Sequence, residues 1–275
     1  MQKNTKLGTT MANKNENYTF PWGFHLGDLV AKDNGKMPLY TPSNDGGFCL
    51  LYDKVSEKQV DTMLESLCLE LLSSMPHESL KVNLFDFGKK KFYNLSPLQY
   101  MHLYQVSYND KMISAHFEEI EETIISRHQE ILCCNRQTIN EHNQKSKIKM
   151  NYHLVLLNLD NFPNDDVELR RINNFLESAV IAGVYVIAFG YQEMKESPNA
   201  GVQAILKHFK NINIRDNKFE ITKEVFEFTE LLVDHEFEAL DLDKDALLQE
   251  TLTGANLEAH MDSENIKLET DTRVK

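Results

Sequence analysis

The first residue with chemistry in it is an aspartate at the end of an apolar run. Tyr152 to Leu159 (YHLVLLNL) leads into Asp160, Asn161, Phe162 and Pro163. A buried strand with that ending puts a carboxylate at the carboxyl end of a sheet, where α/β folds bind their ligands. Such a carboxylate can hold the water shell of a Mg ion beside a nucleotide. Taken alone, Asp160 reads equally well as an Asx turn before Pro163. Asn161 stands where a water-activating Glu belongs. An amide can orient water but cannot accept its proton, so Asn161 is a water-positioning candidate and no catalytic residue is assigned.

A triphosphate also needs a glycine-rich turn and a lysine at a helix N-terminus. The segment in that place is Asp53 to Val60 (DKVSEKQV), between the apolar run Phe48 to Tyr52 and a helical pattern. Its candidate nucleotide contacts are Lys54, Ser56, Lys58 and Gln59, yet it has no Gly, and Gln59-Val60 stand where Lys-Ser/Thr belong. Ser56 fits a helix N-cap better, with Gln59 completing a capping box. Lys89, Lys90 and Lys91, past another strand tip, are candidate contacts for DNA phosphate or an acidic partner, set against a plain solvated turn.

These positions depend on elements that the hydrophobic pattern outlines. Phe48–Tyr52, Lys81–Phe87, Tyr152–Leu159, Val184–Gly190 and Asn211–Arg215 read as strands. Val60 to Leu72, Ala115 to about Lys145, Val167 to Ala182 and Val202 to Phe209 read as helices, with Pro76 and Gly183 as stops. Thr222 to Val233 also looks helical. Residues 18–44 look like loops with one or two short edge strands, and 94–109 irregular. Strands alternating with helices predict a mostly parallel sheet covered on both faces. The strands ending at Tyr52 and Leu159 are expected side by side, opening onto one cleft.

The chain of 275 residues carries 29 Lys plus Arg against 42 Asp plus Glu, a net of −13. Residues 216–275 hold 17 acids and 6 bases, so the acidity is concentrated there. No basic face of a free-standing DNA binder is evident. No apolar run approaches the ~20 residues of a bilayer helix, and no signal peptide opens the chain. Cys49, Cys68, Cys133 and Cys134 form no CxxC pair, so a reducing cytoplasmic setting is expected, with most of the cysteines as small buried hydrophobes. His116, His128 and His142 lack the i, i+4 spacing of a helical metal pair and read as surface or core-edge residues. Trp22 reads as a packing anchor. The expected divisions are a disordered leader 1–17, an α/β domain 18–215, and an acidic helical or partly disordered extension 216–275.

Several segments in order resemble the FtsK/SpoIIIE class of P-loop DNA translocases, within the wider HerA–FtsK group. They span Phe48 to Arg215. Met63 to Pro76 is similar to the helix after the phosphate loop, and Lys81 to Lys90 to a strand ending in Ile-Asp-Pro-Lys. His116 to Asn143 is similar to the long helix closing on an I-x-x-Y-N phrase. Tyr152 to Phe162 is similar to the Walker-B strand, Ala182 to Ile187 to an A-G-I-H-L-I strand entry, and Lys207 to Arg215 to the strand before the C-terminal part. The resemblance implies a RecA-like P-loop NTPase core, ATP and Mg as cofactors, and hexameric assemblies that move duplex DNA. The metal role carries over onto Asp160. The Walker-A role does not carry over, the catalytic Glu is Asn161, and the polar sensor falls on Tyr191 or Gln192.

The expectation is therefore an FtsK-like subunit in a DNA translocation or restriction/defence-type assembly, with weakened or lost ATPase and an intact ATPase or other protein as partner. The alternative is an acidic interaction or scaffold subunit with no nucleotide or DNA chemistry of its own.

Overall fold

The computed structural model describes residues 18–86, 92–107, 109–160, 162–163, 166–220, 222, 229 and 234–254. Its centre is a seven-stranded sheet built from runs that are apolar on both faces. Strand β3 (Gly47–Tyr52) is buried at every position, and so is β6 (Tyr152–Asn158). With β4 (Leu80–Phe85), β5 (Tyr104–Val106), β7 (Val184–Tyr191), β8 (Asn211–Arg215) and β9 (Lys218–Glu220), the order is β5-β4-β6-β7-β3-β8-β9. All neighbours are parallel except the β8–β9 pair. The mostly parallel sheet read from the sequence is present.

The expected adjacency of the Tyr52 and Leu159 strands is corrected. Tyr52 pairs with Tyr191, and β7 lies between β3 and β6. The sequence of β7 is apolar on both faces, so it can be ladder partner to two strands at once.

Alternate residues divide the core in two, as the period of a strand requires. Leu154, Leu156, Tyr185, Ile187 and Phe189 join one cluster with Val60, Met63, Leu64 and Leu67 of helix α1 (Glu57–Ser74). Val155, Leu157, Val184, Val186 and Ala188 join the other, under α2 (Asp110–Ser126), α4 (Asp166–Ala179) and α5 (Ala200–His208). Each fully buried aliphatic side chain contributes about 1.5–3 kcal/mol. Helix α1 ends where expected, with Met75 extended ahead of Pro76. Gly183 follows α4 with φ +76°, and its N–H donates to the Val180 carbonyl at 3.0 Å. A left-handed residue there suits glycine.

A second sheet, β10-β1-β2, is antiparallel and packs over α1. Strand β1 (Gly23–Ala31) is its centre, with β2 (Lys36–Pro42) on one side and β10 (His235–Ala239) on the other. The loops and short edge strands expected over 18–44 are therefore a nine-residue central strand and its hairpin partner. A bulge between His25 and Gly27 breaks the alternation that would have revealed it. At Gly27 (φ +143°) a Cβ would lie 2.1 Å from the Glu238 carbonyl oxygen, so β10 requires glycine there. Residues 216–254, expected in a helical or partly disordered extension, supply β9, β10 and a helical stretch over 244–254. Leu240 is buried, and the Leu242 N–H donates to Ser66 Oγ at 3.2 Å.

The single long helix expected over 115–145 is broken. After α2 the chain makes one π turn (Arg127–Ile131) and a 3-10 turn (Leu132–Cys134), and Asn135 is left-handed. It restarts as α3 (Ile139–Lys145), capped by Thr138 Oγ1, which accepts from the Glu141 N–H. Arg127 is buried at the break and donates to the Ala182 carbonyl at 2.6 Å and the Asn151 carbonyl at 2.9 Å. Only Cys49 and Cys68 are buried; Cys133 and Cys134 are exposed, correcting the expectation for most of the cysteines. Among the described residues, no helix is long and apolar enough to cross a membrane. The leader 1–17, most of the pattern over 222–233, and 255–275 lie outside the described residues.

Candidate functional site

The turn between β3 and α1 is held by its own acid. Asp53 Oδ1 accepts from the Ser56 N–H at 2.9 Å, and Asp53 Oδ2 accepts from the Asp216 N–H, also at 2.9 Å. These bonds, with the Ser56 hydroxyl the largest contributor, hold the Asp53 carboxyl below its ordinary pKa. Ser56 is buried, and its Oγ accepts from the Asn217 N–H at 2.9 Å. The capping box is corrected: Ser56 is in helical conformation and makes no side-chain cap bond. Asp53 takes that part three residues earlier. Lys54 and Lys58 are exposed and Gln59 is half-buried. In a phosphate cradle the amides of this turn would point at ligand oxygens. Here the Asp53 carboxylate already takes the Ser56 N–H, and a glycine-free turn holding that anion does not fit a triphosphate.

The tips of β6 and β7 are joined through Asp160. Its N–H donates to Asn158 Oδ1 at 3.0 Å, and its own Oδ1 accepts from the Tyr191 N–H at 2.9 Å. The Asx bond is thus made by Asn158, and the Asp160 carboxylate reaches across to the next strand. Gly190 leaves it room: a Cβ there would lie 3.1 Å from Asp160 Oδ1. The Tyr191 hydroxyl donates to Glu57 Oε2 at 2.9 Å, on the first turn of α1. Burial, followed by that bond to Glu57, pushes the Tyr191 phenol up to about 12. The Tyr52 ring centre lies 5.3 Å from that of Tyr191. Its phenol is raised by burial and then by Asp160, Asp61 and Glu57.

The structure therefore brings Asp53 and Ser56 together at one strand tip and Asp160 with Tyr191 at the next. Of the two sensor candidates, Tyr191 faces Glu57, while Gln192 Nε2 donates to the Ile214 carbonyl at 3.3 Å. Asn161, Lys89, Lys90 and Lys91 lie outside the described residues. Sequence reasoning missed Glu57 and Asp61. Their i, i+4 spacing on the first turns of a helix that follows a buried strand was the available signal. Among the described residues, no group of three or more His, Cys, Asp or Glu could hold a metal.

A second polar cluster went unnoticed. His116, expected at the surface or core edge, is buried. Its Nε2 lies 2.9 Å from Asn83 Oδ1 and its Nδ1 3.0 Å from Ser107 Oγ, and its ring stacks on Phe85. Asn83 Nδ2 lies 3.4 Å from His153 Nδ1. Burial drives His116 down to about 4 and His153 to about 3. Both rings are neutral at physiological pH and serve as packing and hydrogen-bonding groups.

No family profile matches the sequence, and no curated protein matches it. Solved structures do. The chain is similar to EssC (ATPases 2 and 3) from Geobacillus thermodenitrificans, with 16% identity over 88% of this chain and 50% of that one, at a TM-score of 0.61. It is similar to the pCW3 conjugation coupling protein TcpA, solved as a monomer with ATPgS: 16% identity, 86% of this chain, 74% of that one, TM-score 0.53. A third likeness is Thermomonospora curvata EccC (ATPases 2 and 3) in complex with a signal sequence peptide: 13% identity, 74% of this chain, 35% of that one, TM-score 0.51. The chain thus spans about half the length of the EssC structure it matches. At these identities the likeness speaks to architecture, and on that level the mostly parallel seven-stranded sheet with its helices has the RecA-like P-loop ATPase fold.

Proposed function

We propose that this chain is an FtsK/SpoIIIE-like subunit of a cytoplasmic assembly that translocates or restricts duplex DNA, with its own ATPase weakened or lost. It works beside a partner whose phosphate loop is intact. The observation that carries the loss is the Asp53 carboxylate in the β3–α1 turn, which takes the Ser56 amide of that turn and the Asp216 amide of the β8–β9 turn. Lys54, Ser56, Lys58 and Gln59 are the remnant of the cradle, Asp160 is the position left for a metal, and Asn161 the water-positioning residue. Lys89, Lys90 and Lys91 are the DNA or partner contact in this reading. The likeness to TcpA, a conjugation coupling protein, supports the DNA side of the proposal.

A melting curve with Mg-ATP tests it. A ligand at 100 times its Kd stabilises by about 2.7 kcal/mol. The expected result is no shift at millimolar ATP; a shift that Asp160→Ala removes overturns the loss. Association with duplex DNA is then followed across salt, with and without an intact ATPase partner. A partner-dependent complex with a steep salt slope is expected.

The acidity of residues 216–275 favours a second reading, a scaffold subunit with no nucleotide or DNA chemistry. A stable protein complex that forms through those residues and ignores DNA selects it.

A further inference from the structure

Trp22 is the only tryptophan, and it is 71% exposed. The sequence led us to expect a packing anchor for the N-terminal segment, and most of the side chain is open to solvent. Its ring instead leans on Tyr40, with centroids 4.9 Å apart and planes at 42°. Tyr40 in turn stacks on His25 at 4.8 Å and 21°. The three rings form one wall of a cavity of about 260 Å³, whose other lining includes Pro21, Met75 and the Glu70 carboxylate. Glu70 Oε1 lies 3.0 Å from His25 Nδ1, and Asp28 Oδ1 lies 4.0 Å from His25 Nε2. His25 Nε2 is buried and makes no hydrogen bond. The nearby Lys36 is paired with Glu238.

We propose that this cavity receives an arginine side chain presented by a partner protein, its guanidinium against the Trp22 and Tyr40 rings and donating to Glu70. The charge of the pocket selects the occupant. Two carboxylates, Glu70 and Asp28, face a single histidine and two aromatic rings. Aromatic faces attract cations, tryptophan most strongly. A planar, weakly hydrated guanidinium stacks on such rings and pairs with a carboxylate better than an ammonium does. A neutral apolar segment would leave the Glu70 carboxylate covered and poorly solvated, which is costly.

The pocket also carries a built-in competitor. Glu70, through a hydrogen bond to the ring, raises the His25 pKa above its ordinary value. A proton on His25 therefore holds Glu70 and repels an incoming cation. Above that pKa, Glu70 is free to take the guanidinium. Asp28 and Tyr40 are the other titratable groups facing the ring, and burial raises the Tyr40 phenol above its ordinary value.

Trp22 supplies the readout. The full chain is titrated at constant ionic strength with N-acetyl-arginine amide, and separately with N-acetyl-citrulline amide, its uncharged isostere, while Trp22 emission is followed. A saturable change with arginine is expected, about tenfold weaker or absent with citrulline. Binding should be tighter at pH 8 than at pH 6. Compared at pH 8, where the chain stays folded, Glu70→Gln should weaken it about tenfold. Asp28→Asn, which does not line the cavity, should weaken it less and serves as the folded control. Equal responses to the two amides, the absence of saturation, or parent-like binding by Glu70→Gln would each overturn the proposal. A response to a proline-rich peptide but not to arginine amide would do the same.

Discussion

The Tyr191 backbone N–H sits 2.9 Å from Oδ1 of Asp160, so this carboxylate is a clasp between two strand tips. The Tyr191 hydroxyl extends the clasp to Glu57 on α1. Three elements are therefore tied at the end of the sheet where a RecA-like fold handles phosphate.

Removing the clasp should cost stability. Asp160→Ala is expected to lose about 1–2 kcal/mol in urea unfolding, because the Tyr191 N–H loses a charged acceptor. Asp160→Asn keeps an oxygen in place and should lose less. Parent-like midpoints for both variants would mean the bond contributes nothing.

Asp53 acts as the anion of its own turn. Asp53→Ala should lower the melting temperature, and added sulfate should recover more of the loss than its general effect on the parent protein. The folded carboxyl titrates below its ordinary value, so its contribution is complete above the unfolded pKa and is lost as pH falls through the folded one. In the Asp53→Ala variant the acid end of the stability curve should flatten below about pH 4.

His116 and His153 act over a different window. Their folded values, about 4 and about 3, lie below the unfolded 6.5. The unfolded chain binds protons first, so stability should be greatest above pH 6.5 and fall steadily toward pH 4. Replacing His116 with Gln should remove roughly 3 kcal/mol of that acid sensitivity, measured as the difference in unfolding free energy between pH 7 and pH 4. An unchanged pH slope would show that the ring is not buried neutral.

The His25–Glu70 pair should behave in the opposite sense. The His25 pKa is raised on folding, so the pair stabilises fully below 6.5 and the effect fades as pH rises through the folded value. Glu70→Gln should therefore be destabilising at pH 6 and close to neutral at pH 9. Equal destabilisation at both pH values would exclude a charged contact.

Thiol labelling separates the cysteines. Cys133 and Cys134 are exposed, their sulfurs 3.7 Å apart, while Cys49 and Cys68 are buried with their thiols raised by burial. Two thiols should react quickly with a disulfide reagent in the native protein and four in denaturant. A Cys133→Ser, Cys134→Ser double variant should show no fast phase.

Much of the architecture could be read along the chain. The strands β3, β4, β6, β7 and β8 and the helices α1, α4 and α5 announce themselves, because burial on two faces or on one stripe leaves a period in the residues themselves. The absence of glycine from Asp53 to Val60 was equally plain, as was the acid at the tip of β6. The short β5 and the strand β10, with its acidic alternation, carried no apolar excess to notice. The break after Ser126 lay within a continuous helical period.

What no local pattern could supply was the set of partners. The residue type and position of Asp53 were evident, but its bond to the Asp216 N–H joins groups 163 residues apart. The interposition of β7 between β3 and β6, the clasp from Asp160 to Tyr191 and the insertion of β10 beside Gly27 have the same origin. Periodicity encodes which faces an element must bury. Which element buries them is decided only when the chain closes on itself, by steric fit and by the need of each buried polar group for a hydrogen bond.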